Sequence, residues 1–281
     1  MDTELLDLIP LWGLFLAVCT FAGLALEAGY HFGRWRHQQV AEEKETPVGA
    51  MVAAILGLLA FLLAFTFGLA ANRFDTRREA VLDEANAIGT TYLRARLLPE
   101  PQRTEILRLL REYVDVRVTG IQELRIPETV ARSAELHEAL WQQALEASRN
   151  PDSIAVMTSL FFQSLNDLID LHGKRVQYGL RNRISGSIWV VLFALALISM
   201  LAVGYQSGLS GTRRSPAMSG LVLAFAGVMF LIADLDRGSE GFLTVSQQAL
   251  IDLQHAMEQG PPTSSATPPL NKQPTSIPHQ D

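Results

Sequence analysis

The sequence predicts an all-α membrane protein: four transmembrane helices, with a helical soluble subdomain inserted between helices two and three. Three observations predict it. Apolar residues fall in four blocks, Leu8 to Leu26, Val48 to Ala71, Ile188 to Gly204 and Ala217 to Ala233, each roughly 17–24 residues, the length of a bilayer-crossing helix. Between blocks two and three, roughly 110 residues, a normal domain length, repeat their apolar positions at helical spacing. No stretch of useful length alternates as a strand does. The chain divides accordingly into 1–71 (helices one and two with their loop), 72–184 (the soluble subdomain), 185–235 (helices three and four), 236–258 (a membrane-proximal segment) and 259–281 (a tail).

Composition narrows the classes. Of 281 residues 48% are hydrophobic, but mean hydropathy is only +0.17, because the apolar residues are concentrated in blocks. A net charge of -6 gives no reason to expect a nucleic-acid partner. Cys19 is the only cysteine, so neither an internal disulfide nor a cysteine metal site can form. Block one lacks the basic start of a secretory signal and exceeds its usual apolar length, although Ala25, Ala28 and Gly29 imitate a cleavage site.

In chain order, Trp12 and Tyr30 stand near the ends of span one and Trp189 and Tyr205 near those of span three, where aromatic rings favour the headgroup level. Pro47 is a natural first-turn residue for span two. That span carries a stripe of small residues, Gly49, Ala53, Gly57, Ala60, Ala64, Gly68 and Ala71. Lipid gives helices no hydrophobic reason to meet, so such a stripe predicts a central packing helix. Neither Gly nor Pro interrupts the four residues after Ala71, and Phe74, Val81, Ala85, Ile88 and Tyr92 continue one apolar face. One helix of about 50 residues is expected, half in lipid and half in water.

Pro99 and Pro101 end it. A helix over Arg103 to Ile121 buries Ile106, Leu109, Leu110, Tyr113 and Val114. Pro127 opens the next, which Asn150-Pro151-Asp152 stops. The third, Ile154 to about Arg183, presents Phe161, Leu165, Leu168, His172 and Val176 on one face, and His172 there reads as a satisfied core histidine. Block four is the shortest and also fits a partly inserted segment. The tail from Gly260 is rich in Pro, Ser and Thr and is expected to be disordered.

With four spans, the N-terminus, subdomain and tail share one side of the membrane. Arg73, Arg77, Arg78, Lys174, Arg175, Arg181, Arg183 and Arg237 stand close to it there, against Arg34, Arg36, Lys44, Arg213 and Arg214 opposite. The bias favours a cytoplasmic subdomain in a multi-pass protein of the cell membrane.

No nucleophile elbow, phosphate loop or zinc signature is present, and neither enzyme activity, cofactor nor metal is expected. Asp234 and Asp236 begin like a calcium loop, but Ser239 and Val245 stand where glycine and an acid are needed. Both an interfacial acid cluster and a partial cation site remain open. If span two continues unbroken, Phe61, Phe65, Asn72, Glu79, Asp83, Asn86 and Thr90 share one broad sector. Around an axis these make an apolar ring followed by an acidic ladder; apolar rings gate by dewetting and acidic rings favour cations. In isolation the phenylalanines equally face lipid and the acids water.

Three stretches carry a family resemblance: LLAFTFGLAANRFDTRREAVLDEANAIGTTYLRARLLP (Leu62 to Pro99), GYQSG (Gly204 to Gly208) and DLDRGSEGFLTVSQ (Asp234 to Gln247). The chain resembles the bestrophin-like family of bacterial membrane proteins over most of Gly49 to Leu253, with Gly238 where that family suggests proline. True bestrophins are pentameric ion channels with intracellular termini, a helical cytosolic region after helix two, and a hydrophobic neck on that helix. The resemblance therefore implies a homo-oligomer in a lipid bilayer, passing inorganic ions, with Phe61 and Phe65 at the neck. The other reading is a membrane-anchored interaction or sensing protein without transport activity.

Overall fold

The computed structural model describes residues 10–39, 45–122, 125–180, 182–211, 216–237 and 241–259. Those residues form eight helices and no strand: α1 (Leu11–Gln39), α2 (Glu45–Ala95), α3 (Gln102–Gln122), α4 (Ile126–Arg149), α5 (Ala155–Leu180), α6 (Gly186–Leu209), α7 (Pro216–Arg237) and α8 (Gln248–Gln259). Four of them, α1, α2, α6 and α7, are long and apolar enough to cross a membrane. The Arg213-Arg214 loop, the Gly238 turn, Arg181 and the tail beyond residue 259 lie outside the described residues.

Two apolar clusters organise the chain, and α2 belongs to both. The first joins α1, the apolar half of α2, α6 and α7 around Leu59, Leu63, Leu192, Ala226, Met229 and Ile232. Its most intimate contact is between α1 and α6. Gly29 and Gly33 on α1 face Gly204 and Gly208 on α6, and a Cβ on any of the four would collide with the opposing backbone, at Leu201, Tyr205, Leu26 and Tyr30 respectively. Two G-x-x-x-G pairs thus put main chain against main chain, the contact that holds helices where lipid competes for every apolar side chain.

The second cluster joins the polar half of α2 to α3, α4, α5 and α8. Ile88, Ile106, Leu110, Tyr113, Leu136, Leu140, Phe161, Leu165 and Leu168 are sealed inside it, each side chain of this kind contributing about 1.5–3 kcal/mol when water is the alternative. The segment after α7 forms α8, whose Leu250 and Met257 enter this core. Pro127 occupies the first turn of α4, and the Asn150 N–H closes its end on Ala147 O.

Two sequence expectations change here. Tyr30 and Trp189 are buried, at 7% and 3% exposure. Trp189 stacks on Phe193 inside the first cluster, so its position near a span end did not decide which way its ring faces. Span one also runs past its apolar block as far as Gln39, because the α6 contact continues through Gly33.

Candidate functional site

The candidate site is the face of α2. No proline lies between Pro47 and Pro99, and three threonines satisfy their own hydroxyls within the helix: Thr66 donates to Leu62 O, Thr76 to Asn72 O and Thr91 to Ala87 O, each at 2.8 Å. One side of the rod is buried through Val52, Leu59, Leu63, Thr66, Ala70, Val81, Glu84 and Ile88. The other side is left uncovered by the chain along its length. It carries Phe61 and Phe65, 65% and 59% exposed, and then Asn72, Glu79, Asp83, Asn86 and Thr90, all exposed. The helix therefore places two bare aromatic rings one turn apart, followed by a run of polar and acidic groups. Beside the lower acids, Asp83, Asn86 and Thr90 form one wall of a cavity of about 440 Å³ whose other wall is Ser164, Asp167, Asp170 and Lys174 of α5.

The small-residue stripe lies on uncovered surface too. Ala53, Gly57, Ala60, Ala64 and Gly68 are exposed, and a Cβ on Gly57 or Gly68 meets nothing within 4 Å. At its two ends the stripe does meet the bundle: a Cβ on Gly49 would meet the Gln206 side chain, and Ala71 packs against the first cluster. Within the chain α2 docks through its larger residues, and close backbone approach belongs to α1 and α6. A stripe marks where a neighbour can come near, and says nothing about which neighbour does.

Behind the exposed acids is a group that the sequence reading passed over. Glu84 is fully buried, 13 positions beyond Ala71 and outside the apolar stretch. Tyr113 Oη donates to its Oε1 at 2.6 Å, and Arg117 Nη2 to its Oε2 at 3.3 Å. Arg117 Nε stands 3.1 Å from Oε1 without hydrogen-bond alignment, and Arg175 pairs with Oε2. His172 Nδ1 is 3.1 Å from Tyr113 Oη, which confirms it as a satisfied core histidine, and its ring meets His137 edge-on at 4.9 Å. Burial works to raise the Glu84 carboxyl, but His172, the two arginines and Tyr113 outweigh it and hold it well below the usual carboxylate range. Burial, and then the neighbouring Glu84 charge, push Tyr113 well up. Burial, reinforced by His172, lowers His137 to about 4. Helices α2, α3 and α5 thus share one buried carboxylate, and α4 adds the His137 ring against Tyr113 and His172. A signal existed in the sequence: Glu84 is three after Val81 and four before Ile88, a charge on the apolar face.

Asp234 and Asp236 do not face one another across a cation. Asp234 accepts the N–H groups of Phe242 at 2.7 Å and Leu243 at 3.1 Å. Asp236 accepts the Ile184 N–H at 3.0 Å and lies 3.7 Å from Arg73. Arg77 donates to the carbonyls of Leu235 and Asp236, closing the end of α7. Hydrogen-bond donors surround both acids, the setting of carboxylates that hold a chain crossing. Among the described residues no group of three or more His, Cys, Asp or Glu is placed for a metal.

Four membrane-length helices continuous with a second helical bundle through one long helix define an all-α, multi-pass type of membrane protein. A family model, the Bestrophin-like domain, matches residues 19–250, and the chain belongs to that family. In fold it is similar to crystal structures of a bacterial bestrophin homologue from Klebsiella pneumoniae. Two single-substitution variants each match at a TM-score of 0.61 and 13% identity, covering 86% and 89% of this chain and 98% of theirs. A third variant matches at 0.61 and 11% identity, covering 88% of this chain and 97% of its own. No curated protein matches.

Proposed function

We propose that the chain is one subunit of a homo-oligomeric ion channel in the cell membrane, with α2 lining the pore. The uncovered face of α2 carries this reading: it is free along its length, aromatic in the apolar half and acidic beyond it, as a pore-lining helix requires. Phe61 and Phe65 form the constriction, since apolar rings exclude water and ions until widened. Asn72, Glu79, Asp83 and Asn86 line the ion pathway below it, and their acids favour cations. The small stripe, Gly49 to Gly68, allows neighbouring subunits to approach around the axis. The α3–α5 insertion and α8 form the soluble subdomain, on the cytoplasmic side. Membership of the bestrophin-like family and the bestrophin-homologue fold support the reading.

The test is conduction by the purified chain in planar bilayers. Phe65→Ala should raise the open current severalfold by widening the constriction, and Asp83→Asn should lower cation preference. Silent, well-folded oligomers would instead favour a membrane-anchored interaction protein.

A further inference from the structure

The strand of chain after α7 displays a bare aromatic ring on an unusually firm mount. Phe242 is 82% exposed, the most exposed large apolar side chain among the described residues. Its backbone is nevertheless fixed, because the Asp234 carboxylate, itself 1% exposed, accepts both the Phe242 and the Leu243 N–H. Gly241 makes that possible, since a Cβ there would overlap Asp234 Oδ1. A loop meant only to connect two helices in water has no need of a buried carboxylate, a glycine-only approach and an uncovered phenylalanine.

The depth of the ring explains the mount. Arg77 grips the carbonyls of Leu235 and Asp236, so the end of α7 is level with a point about 9 Å past Ala71, where the apolar run of α2 stops. Phe230 lies five to six residues earlier on α7, about 8 Å back along its axis, and so at the edge of that apolar run. The Phe242 ring packs on Phe230, with centroids 5.9 Å apart. After α7 the chain therefore folds back toward the bilayer. Phe230 in turn meets Phe15 edge-on at 5.9 Å, and Trp12, 67% exposed, stands one turn away on α1. Phe242 extends the outward apolar surface of α7, on which Leu223 is 54% exposed.

We infer that Phe242, carried by Asp234 and Gly241, is a lipid anchor: its ring inserts at the boundary between headgroups and acyl chains on the subdomain side and ties the start of α8 to the bilayer. Aromatic rings favour that level. The anchor does not depend on the pore reading and would operate in a silent protein as well.

The test uses the full chain with Cys19→Ala and Phe242→Cys, carrying a nitroxide, in vesicles of phosphatidylcholine and phosphatidylglycerol in equal parts. Collision with oxygen should exceed collision with a water-soluble nickel chelate, as is expected for the same label at Leu223→Cys. A nitroxide at 242 that collides mainly with the chelate, as one at Gln142→Cys on exposed α4 would, overturns the anchor. Shielding from both reagents also overturns it, by showing that protein from a second copy covers the ring. Should the labelled chain not fold, Phe242→Trp supplies the same measurement: bromine on the acyl chains should quench the added fluorescence, and absence of quenching would reject the proposal.

Discussion

The two bundles that α2 joins are held by different forces. In the first, the firmest contact is glycine against backbone between α1 and α6, at Gly29, Gly33, Gly204 and Gly208. In the second, large side chains close over a charged centre, with Tyr113, Arg117, His172 and Arg175 gathered around Glu84. The contrast follows from the solvent each bundle has to exclude. Where lipid is the alternative, burying another leucine gains little and close approach decides. Where water is the alternative, a large apolar core can hold a desolvated ion cluster, which then fixes how four helices are arranged.

The largest test of that contrast removes the charge at the centre of the second bundle. Glu84→Ala leaves Arg117 and Arg175 buried without their carboxylate and should cost about 3–5 kcal/mol of stability. Denaturant unfolding followed at Trp141, on α4 against Phe162, should register it; a loss near zero would mean that the cluster carries no structural weight.

Acid should act on the same bundle from another direction. His137 has a folded pKa of about 4 against an ordinary 6.5. Above pH 6.5 the ring is neutral folded or unfolded, so stability is flat. Between 6.5 and 4 the unfolded chain takes up a proton that the folded chain refuses, so stability should fall as pH falls, by about 3 kcal/mol in all. Glu84, held below its ordinary 4.5, continues the loss at lower pH. His137→Phe should remove the slope between 6.5 and 4 and keep the later one, as pH-dependent melting would show.

Glycine substitutions sharpen the other side. Gly204→Ala drives a methyl into the Leu26 carbonyl and should destabilise the α1–α6 pair by about 1–3 kcal/mol. Gly57→Ala and Gly68→Ala meet nothing in the chain and should leave unfolding of the single chain unchanged. If those two variants dissociate an oligomer in detergent, measured by light scattering, the stripe lies between subunits.

Much of the fold was legible because periodicity and punctuation are local. The four apolar blocks, the unbroken helix past Ala71, and the stop at Asn150-Pro151 each depend on residues adjacent in sequence, and helices stand at each of them. The extension of α1 to Gln39 and the whole of α8 were not foreseen. The exposed run from Phe61 to Thr90 was legible for the same reason, as a sector of one helix. Facing is not local. The small-residue stripe of α2 stands out in the sequence, whereas the fold shows close backbone contact between the glycine pairs of α1 and α6. Likewise Glu84 and Asp83 are neighbours in sequence, but one is sealed among two arginines and the other lines an open cavity. Nothing in either residue type distinguishes them; their phase against Val81 and Ile88 does.

Because α2 is a single 51-residue helix with no proline after its first turn, it behaves as a lever about 75 Å long. A change of about 5° in its tilt about Arg77 would carry its Glu45 end through roughly 4 Å and its Ala95 end through roughly 2 Å. Anything that pries at the far bundle, whether acid or a bound molecule, is thereby mechanically geared to Phe61 and Phe65 without any intervening joint.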